Sequence, residues 1–468
     1  MKKISLLLAV LMIITFITPP RSQALNFPGP NISSESALVV SIDNDLIVHE
    51  KNADMRQMPG SLANIMTAIV CLENLNDLKQ EVTVNSSVYA DLEYSEYPED
   101  LRYANIKNGD RLTVGDLLYA MMLTSSVEAS MTIADLVGNG NIDKFVTMMN
   151  ETAQKIGCTS TQFTNPTGLY DEGQYTTARD MCYITKYALK NHSIIKTISE
   201  TFSYNPSVPN FDRHPKHSEW IWEHSNIMMD NNSTYYYAGA KGIKTGNLSA
   251  AGRNIVTMAS RDGFTYLIVL LKAPIRLEEK DSKFYHIDDA TILLNWAFSQ
   301  FAYRTILSET EESGECPVSL AVGGEYVLVR PKAEVSSLWF KGVETSMIEK
   351  KIQLYTNVKA PVQKGDKLGE VTLKYAGAEI ATVDLVAMSN VERSLTKYNL
   401  FALKKFPDSE WFSKAITISV ILCALYILLC IYSFTVFKNG KKPVKPIYAV
   451  PKAPKEEKIR ARKDGNSE

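Results

Sequence analysis

From Ala415 to Phe437 the chain runs 23 residues without a charge (AITISVILCALYILLCIYSFTVF). That length crosses a hydrocarbon core of about 30 Å as a helix. A single segment in lipid can satisfy its backbone polar groups only as a helix. Lys438, Lys441, Lys442 and Lys445 follow at once, and basic residues flanking a span favour the cytoplasm. At the other end, Lys2 and Lys3 precede an apolar stretch, Ile4 to Ile17, which is short for a span. Ser22-Gln23-Ala24 then supplies a small-x-small cleavage site, the pattern of a secretory signal. The expected topology is a signal peptide over 1–24, a body outside the cell, one span over 415–437, and a cytoplasmic tail over 438–468. The mean hydropathy of -0.12 excludes a multi-pass protein.

The net charge of -2 hides an uneven distribution. The tail from Lys438 holds ten Lys/Arg against four Asp/Glu, and the first 24 residues carry three positive charges. The stretch between is left at about -11. An acidic body argues against nucleic acid as a partner, because phosphate binding needs clustered Lys and Arg. The Pro- and Lys-rich tail has the composition of a disordered segment. Cys71, Cys158, Cys182 and Cys316 are scattered through the exported part without CxxC spacing. One or two disulfides and buried free thiols both fit that pattern. The six His residues lack HExxH spacing, so neither a metal nor a cofactor is expected.

Residues 35–50 read as a hairpin around Asp43-Asn44-Asp45. Residues 60–75 have helical periodicity, with Ser61 placed to cap the first turn. Two further helices over 113–137 meet near Thr124-Ser125-Ser126, and another covers 143–157. Near 238–272 the period switches to strands: GAKGIKTGN, RNIVTMAS, a turn at Arg261-Asp262-Gly263, then FTYLIVLLKAP. That is a β-meander. Residues 283–304 read as a closing amphipathic helix. Beyond about 305 come short alternating strands without helices (CPVSLAV, EYVLVRP, KIQLYTNV, GDKLGEVTLKYAG, EIATVDLVA), a small β-rich domain over 305–405.

Three motifs carry chemistry. Pro59-Gly60-Ser61-Leu62-Ala63-Asn64 sets a Ser at a helix start. Leu123-Thr124-Ser125-Ser126-Val127-Glu128 is a Ser-rich helix junction. Gly242-Ile243-Lys244-Thr245-Gly246-Asn247 closes a strand. In this order and context the chain resembles the serine D-alanyl-D-alanine carboxypeptidases, the low-molecular-mass penicillin-binding proteins. Phe163-Thr164-Asn165-Pro166-Thr167-Gly168, Glu50 to Asp54, Tyr175 to Asp180 and Ala259 to Gly263 also look like family signatures. The resemblance covers about residues 30–304. It implies a mixed α/β (α+β) fold of the serine β-lactamase/penicillin-binding-protein transpeptidase type over 25–304, followed by the β-rich domain and one transmembrane helix. It also implies a partner: a peptidoglycan stem peptide ending in D-Ala-D-Ala, or a β-lactam.

The resemblance assigns Ser61 the nucleophile position, Ser125 a catalytic place, and Lys244, Thr245, Gly246 and Asn247 the substrate-binding strand. The backbone N–H groups of Ser61 and Asn247 would hold an oxyanion. Two departures stand out. The family's first motif is Ser-x-x-Lys, whose amine deprotonates the Ser from one helical turn away. Here position 64 is Asn, which takes no proton near neutral pH. The second motif is Ser-x-Asn, and here Val127 fills the last place. Losing a general base costs roughly 10²–10⁴ in rate. Two readings follow: a weak carboxypeptidase with Lys244 or Glu128 as substitute base, or a non-catalytic membrane-anchored binding, scaffold or sensor protein that keeps the groove. Plainer roles for the same residues are a helix cap for Ser61, caps for Ser125 and Ser126, a solvated charge for Glu128 and an exposed strand-end Lys244.

Overall fold

The computed structural model describes residues 27–90, 92, 97–275 and 283–439. The signal peptide and all but the first two residues of the tail lie outside the described residues. The chain forms two compact units. The first holds the chain up to Cys316 together with Val327–Thr356 and Gln363–Ser389. The second holds Pro317–Tyr326, Asn357–Val362 and the chain from Asn390 on.

In the first unit, β1 (Ser36–Ser41), β2 (Leu46–Lys51), β3 (Ala240–Leu248), β4 (Gly252–Arg261) and β5 (Phe264–Ala273) form one antiparallel sheet in the order β2-β1-β5-β4-β3. In β5, Leu267 to Leu271 are all fully buried, so both faces of the sheet are covered. Alternate residues divide the faces. Leu38, Val40, Val256, Met258, Leu267, Val269 and Leu271 join the core shared with the helices on one side. On the other side β4 and β5 pack on α6 (Tyr285–Gln300), where Tyr266 meets Phe298 edge-on at 5.0 Å. The hairpin turn between β4 and β5 needs left-handed backbone at both central residues, which Asp262 (φ 52°) and Gly263 (φ 81°) provide.

The first helical cluster surrounds α1 (Ala63–Asn74), buried at every position from Ala63 to Cys71. It is a helix wrapped on all sides. Next come α2 (Val114–Thr124), α3 (Val127–Gly138), α4 (Ile142–Ile156) and α5 (Ala178–Asn191). A Thr113/Asp116 capping box starts α2. The helix α2 ends at Ser125, left-handed at φ 63°, and Ser126 caps α3 by accepting from Ala129 N at 3.0 Å. Cys71, Cys158 and Cys182 are free and buried, and Cys316 is buried. Burial pushes the Cys71 and Cys182 thiols up to about 12, so they are inert at neutral pH.

The sequence reading runs the closing helix too far: α6 ends at Gln300, and Phe301–Leu307 is a strand paired with Val335–Phe340. That second strand escaped the sequence reading. Phe27, Phe301, Trp339 and Phe340 gather with ring centroids 5.3–5.7 Å apart, and this apolar cluster draws the segment out of the helix. Glu349–Leu354, Lys367–Tyr375 and Ala378–Ala387 form a further antiparallel set in the same unit.

In the second unit, Pro317–Ser319 and Val358–Lys359 run parallel, α7 spans Leu395–Lys405, and α8 spans Glu410–Asn439. Within α8, Glu410–Lys438 is long and apolar enough to cross a membrane.

Gly168, at φ 79°, lies where a Cβ would stand 2.0 Å from Gly60 O and 2.9 Å from Ser61 N. Gly168→Ala therefore combines left-handed strain with a backbone clash. It is expected to lower stability by roughly 2 kcal/mol or more, read as a shift in the thermal midpoint. An unchanged midpoint would show that the loop gives way freely.

Candidate active site

The three motifs meet at a cleft of about 180 Å³ in the first unit. Ser61, Thr124, Ser125, Ser225, Thr245, Gly246, Asn247, Arg253 and His286 are among its lining residues. Ser61 is part of a 3-10 turn, Gly60–Leu62, ahead of α1. Asn254, buried in β4, fixes that turn: its Nδ2 donates to Met58 O at 2.9 Å and Pro59 O at 3.0 Å, and its Oδ1 accepts from Lys272 N at 2.7 Å. A Cβ on Gly246 would stand 3.2 Å from Ser61 N, so the bare glycine lets β3 close on the Ser61 turn.

The reading of Ser61 as a helix cap does not hold. The helix α1 begins two residues later with no side-chain cap bond. No hydrogen bond reaches the Ser61 hydroxyl among the described residues. Asn64, one turn on, is fully buried and points its amide elsewhere. Its Nδ2 donates to Ser130 Oγ at 3.0 Å, Pro166 O at 3.1 Å and Thr167 O at 3.4 Å, while its Oδ1 is buried without a partner. Asn64 thus ties α1 to the Asn165–Gly168 loop.

Lys244 is not an exposed strand-end residue. A bulge between Lys241 and Lys244 inserts an extra residue against β4, leaving Ile243 and Lys244 both fully buried. The Lys244 Nζ bonds Ser125 Oγ and donates to Thr245 O at 3.0 Å. Burial pulls its pKa from 10.5 down to about 7. Nearby His224 is buried and held neutral, pulled down to about 3 by burial and then by the Lys244 charge. Gly242 makes room for that imidazole: a Cβ there would stand 2.1 Å from His224 Nε2.

Glu128 is neither solvated nor turned to the cleft. It is fully buried and accepts from Ala104 N at 2.7 Å, Ile106 N at 3.3 Å and Ser126 Oγ at 2.8 Å. Burial raises its pKa, yet its oxygens are committed to the chain before α2, so it is no substitute base for Ser61. Val127 is buried and its N–H donates to Arg102 O at 2.9 Å. Ser126 caps a helix as expected, whereas Ser125 does not.

Arg253, His286, Ser225 and Asn254 escaped the sequence reading. Arg253 lies over the Phe284 ring at 4.4 Å beside the cleft, and His286, buried with its Nδ1 unpartnered, adjoins it. Burial and then Arg253 pull His286 down to about 3. Ser225 Oγ and Thr245 Oγ1 share a hydrogen bond of 2.6 Å. The other signature segments serve the scaffold: Arg179 pairs with Glu50 and Asp54, each at 2.7 Å.

A serine-bearing turn, a serine at a helix junction and a lysine-bearing edge strand surround one cleft on a mixed α/β frame. The sequence profile described as D-alanyl-D-alanine carboxypeptidase matches residues 22–274, and that of the penicillin-binding protein 5 C-terminal domain matches 320–393. The chain belongs to the D-alanyl-D-alanine carboxypeptidase family. It is 26% identical to D-alanyl-D-alanine carboxypeptidase DacF of Bacillus subtilis, over 77% of this chain and 86% of that one. It is 27% identical to DacC of Escherichia coli, over 82% and 92%. Penicillin binding protein 5 from Haemophilus influenzae shares the fold with a TM-score of 0.55 at 24% identity, covering 79% of this chain and all of that one.

The Lys244 proton has a measurable cost. Between pH 7 and 10.5 the unfolded chain holds a proton that the folded one has released. The penalty is therefore complete below pH 7 and fades as pH rises to 10.5. Lys244→Met is expected to stabilise by on the order of a few kcal/mol at pH 6, with the gain shrinking toward pH 10 in chemical denaturation. Equal stability of parent and variant at pH 6 would contradict this.

Proposed function

We propose that this protein acts on peptidoglycan stem peptides ending in D-Ala-D-Ala at the outer face of the membrane. Here α8 is the span and the basic tail is cytoplasmic. The observation that carries the reading is the convergence of Ser61, Ser125 and the Lys244–Asn247 strand on one cleft. Thr245, Gly246 and Asn247 would line the peptide's end, with Arg253 as a nearby cation for its carboxylate. The Ser61 and Asn247 amides would face the carbonyl oxygen.

Acyl transfer through Ser61 is slow in this reading, because the residue at the base position is an amide bonded to Ser130 and the 166–167 carbonyls. Purified full-length protein in detergent should bind a pentapeptide ending in D-Ala-D-Ala. It should release D-Ala with kcat/KM roughly 10²–10⁴ below an intact family member assayed beside it. Failure to bind the peptide would overturn the reading.

Restoration is a second test. The Asn64 amide already faces three oxygen acceptors, a setting suited to an ammonium. Val127 is buried, so an Asn there must find partners or destabilise α3. Partial recovery of D-Ala release is expected from Asn64→Lys with Val127→Asn together, and little from either alone, because such groups act as a unit. A folded double variant without recovery would show that more than the base and the orienting amide has changed.

A further inference from the structure

We propose that Ser125, with Lys244 as its base, is the nucleophile of this site in place of Ser61. The inference rests on the functional reading above and goes beyond it by moving the covalent step to another residue.

Ser125 faces the cleft and its hydroxyl is bonded to Lys244 Nζ. A nucleophile within hydrogen-bond reach of a base is the arrangement that acyl transfer requires. Ser61 faces the same cleft but has no such partner among the described residues. Its helix offers Asn64, which is bonded away from it.

The lysine is conditioned for the task. It is fully buried, no carboxylate is bonded to it among the described residues, and its other partner is the Thr245 carbonyl. Burial therefore favours the neutral amine, whose lone pair can accept the hydroxyl proton.

The serine is conditioned too. Its left-handed backbone, at φ 63°, is sparsely populated for a residue with a side chain. Such geometry persists only where the surroundings impose it. Here the end of α2 and the start of α3 do so. The position just before the α3 N-terminus also favours a developing alkoxide.

The step balances without a further co-reactant. Neutral Lys244 takes the Ser125 Oγ proton as Oγ bonds the carbonyl carbon of the D-Ala-D-Ala peptide. The C–N bond then breaks, and the leaving amine takes the proton from the Lys244 ammonium. Water, deprotonated by the same amine, attacks the Ser125 ester. The C–O bond breaks and the proton returns to Ser125.

The test uses full-length protein in detergent, incubated to saturation with benzylpenicillin, digested and mapped by tandem mass spectrometry. The β-lactam carbonyl stands in for the peptide carbonyl. The penicilloyl group is expected on the peptide carrying Ser125. Ser125→Ala should abolish it, and Lys244→Met should slow labelling by roughly 10²-fold or more. Mapping on the parent protein needs no variant to fold. Label on Ser61, or no label on protein that still binds the D-Ala-D-Ala pentapeptide, overturns the inference and leaves the groove reading standing. Absence of both label and peptide binding overturns both.

Discussion

An amine buried beneath the cleft, with no carboxylate bonded to it among the described residues, governs how this site is built. Leaving Lys244 Nζ in an apolar interior is costly unless it sheds its proton or finds oxygen partners. It does both in part, with its pKa near 7 and with contacts to Ser125 and Thr245. The surrounding structure serves that placement. The β3 bulge turns the lysine inward, Gly242 admits the neutral His224 ring beside it, and the left-handed end of α2 brings Ser125 over it.

The opposite wall is set by hydrogen bonds of another kind. Asn254 holds the Pro59–Ser61 turn by hydrogen bonds, Gly168 permits a backbone approach that any side chain would block, and Gly246 permits one that a side chain would crowd. Ser61 is thus well placed but chemically alone. Asn64 completes the contrast: its amide braces α1 against the Asn165–Gly168 loop. The scaffold is preserved at the position where a proton acceptor is missing.

Much of this was legible in the chain. The β-meander showed in its alternation and its Asp-Gly turn, and the helix junction at 124–126 showed in a break between two apolar repeats. The three motifs did meet at one cleft. What stayed hidden depends on contacts distant in sequence. Glu128 reads as a surface charge until Ala104 and Ile106, more than twenty residues upstream, supply its donors. The plainer reading of Lys244 as an exposed strand end fails because the bulge that turns it inward leaves no sequence mark. Arg253 and His286 meet only through the packing of α6 on the sheet. The strand Phe301–Leu307 continued an apolar helical pattern, and only its partner strand and the aromatic cluster around Phe27 decide its form.

The central claim is that Lys244 is a base at neutral pH. It is tested most directly by titrating the Lys244 side chain by NMR in protein carrying labelled lysine, with Lys244→Met used for assignment. The account requires a titration near pH 7, with the amine neutral above it and charged below. A lysine that titrates at 10 or higher would contradict it, because Ser125 would then face a permanent ammonium.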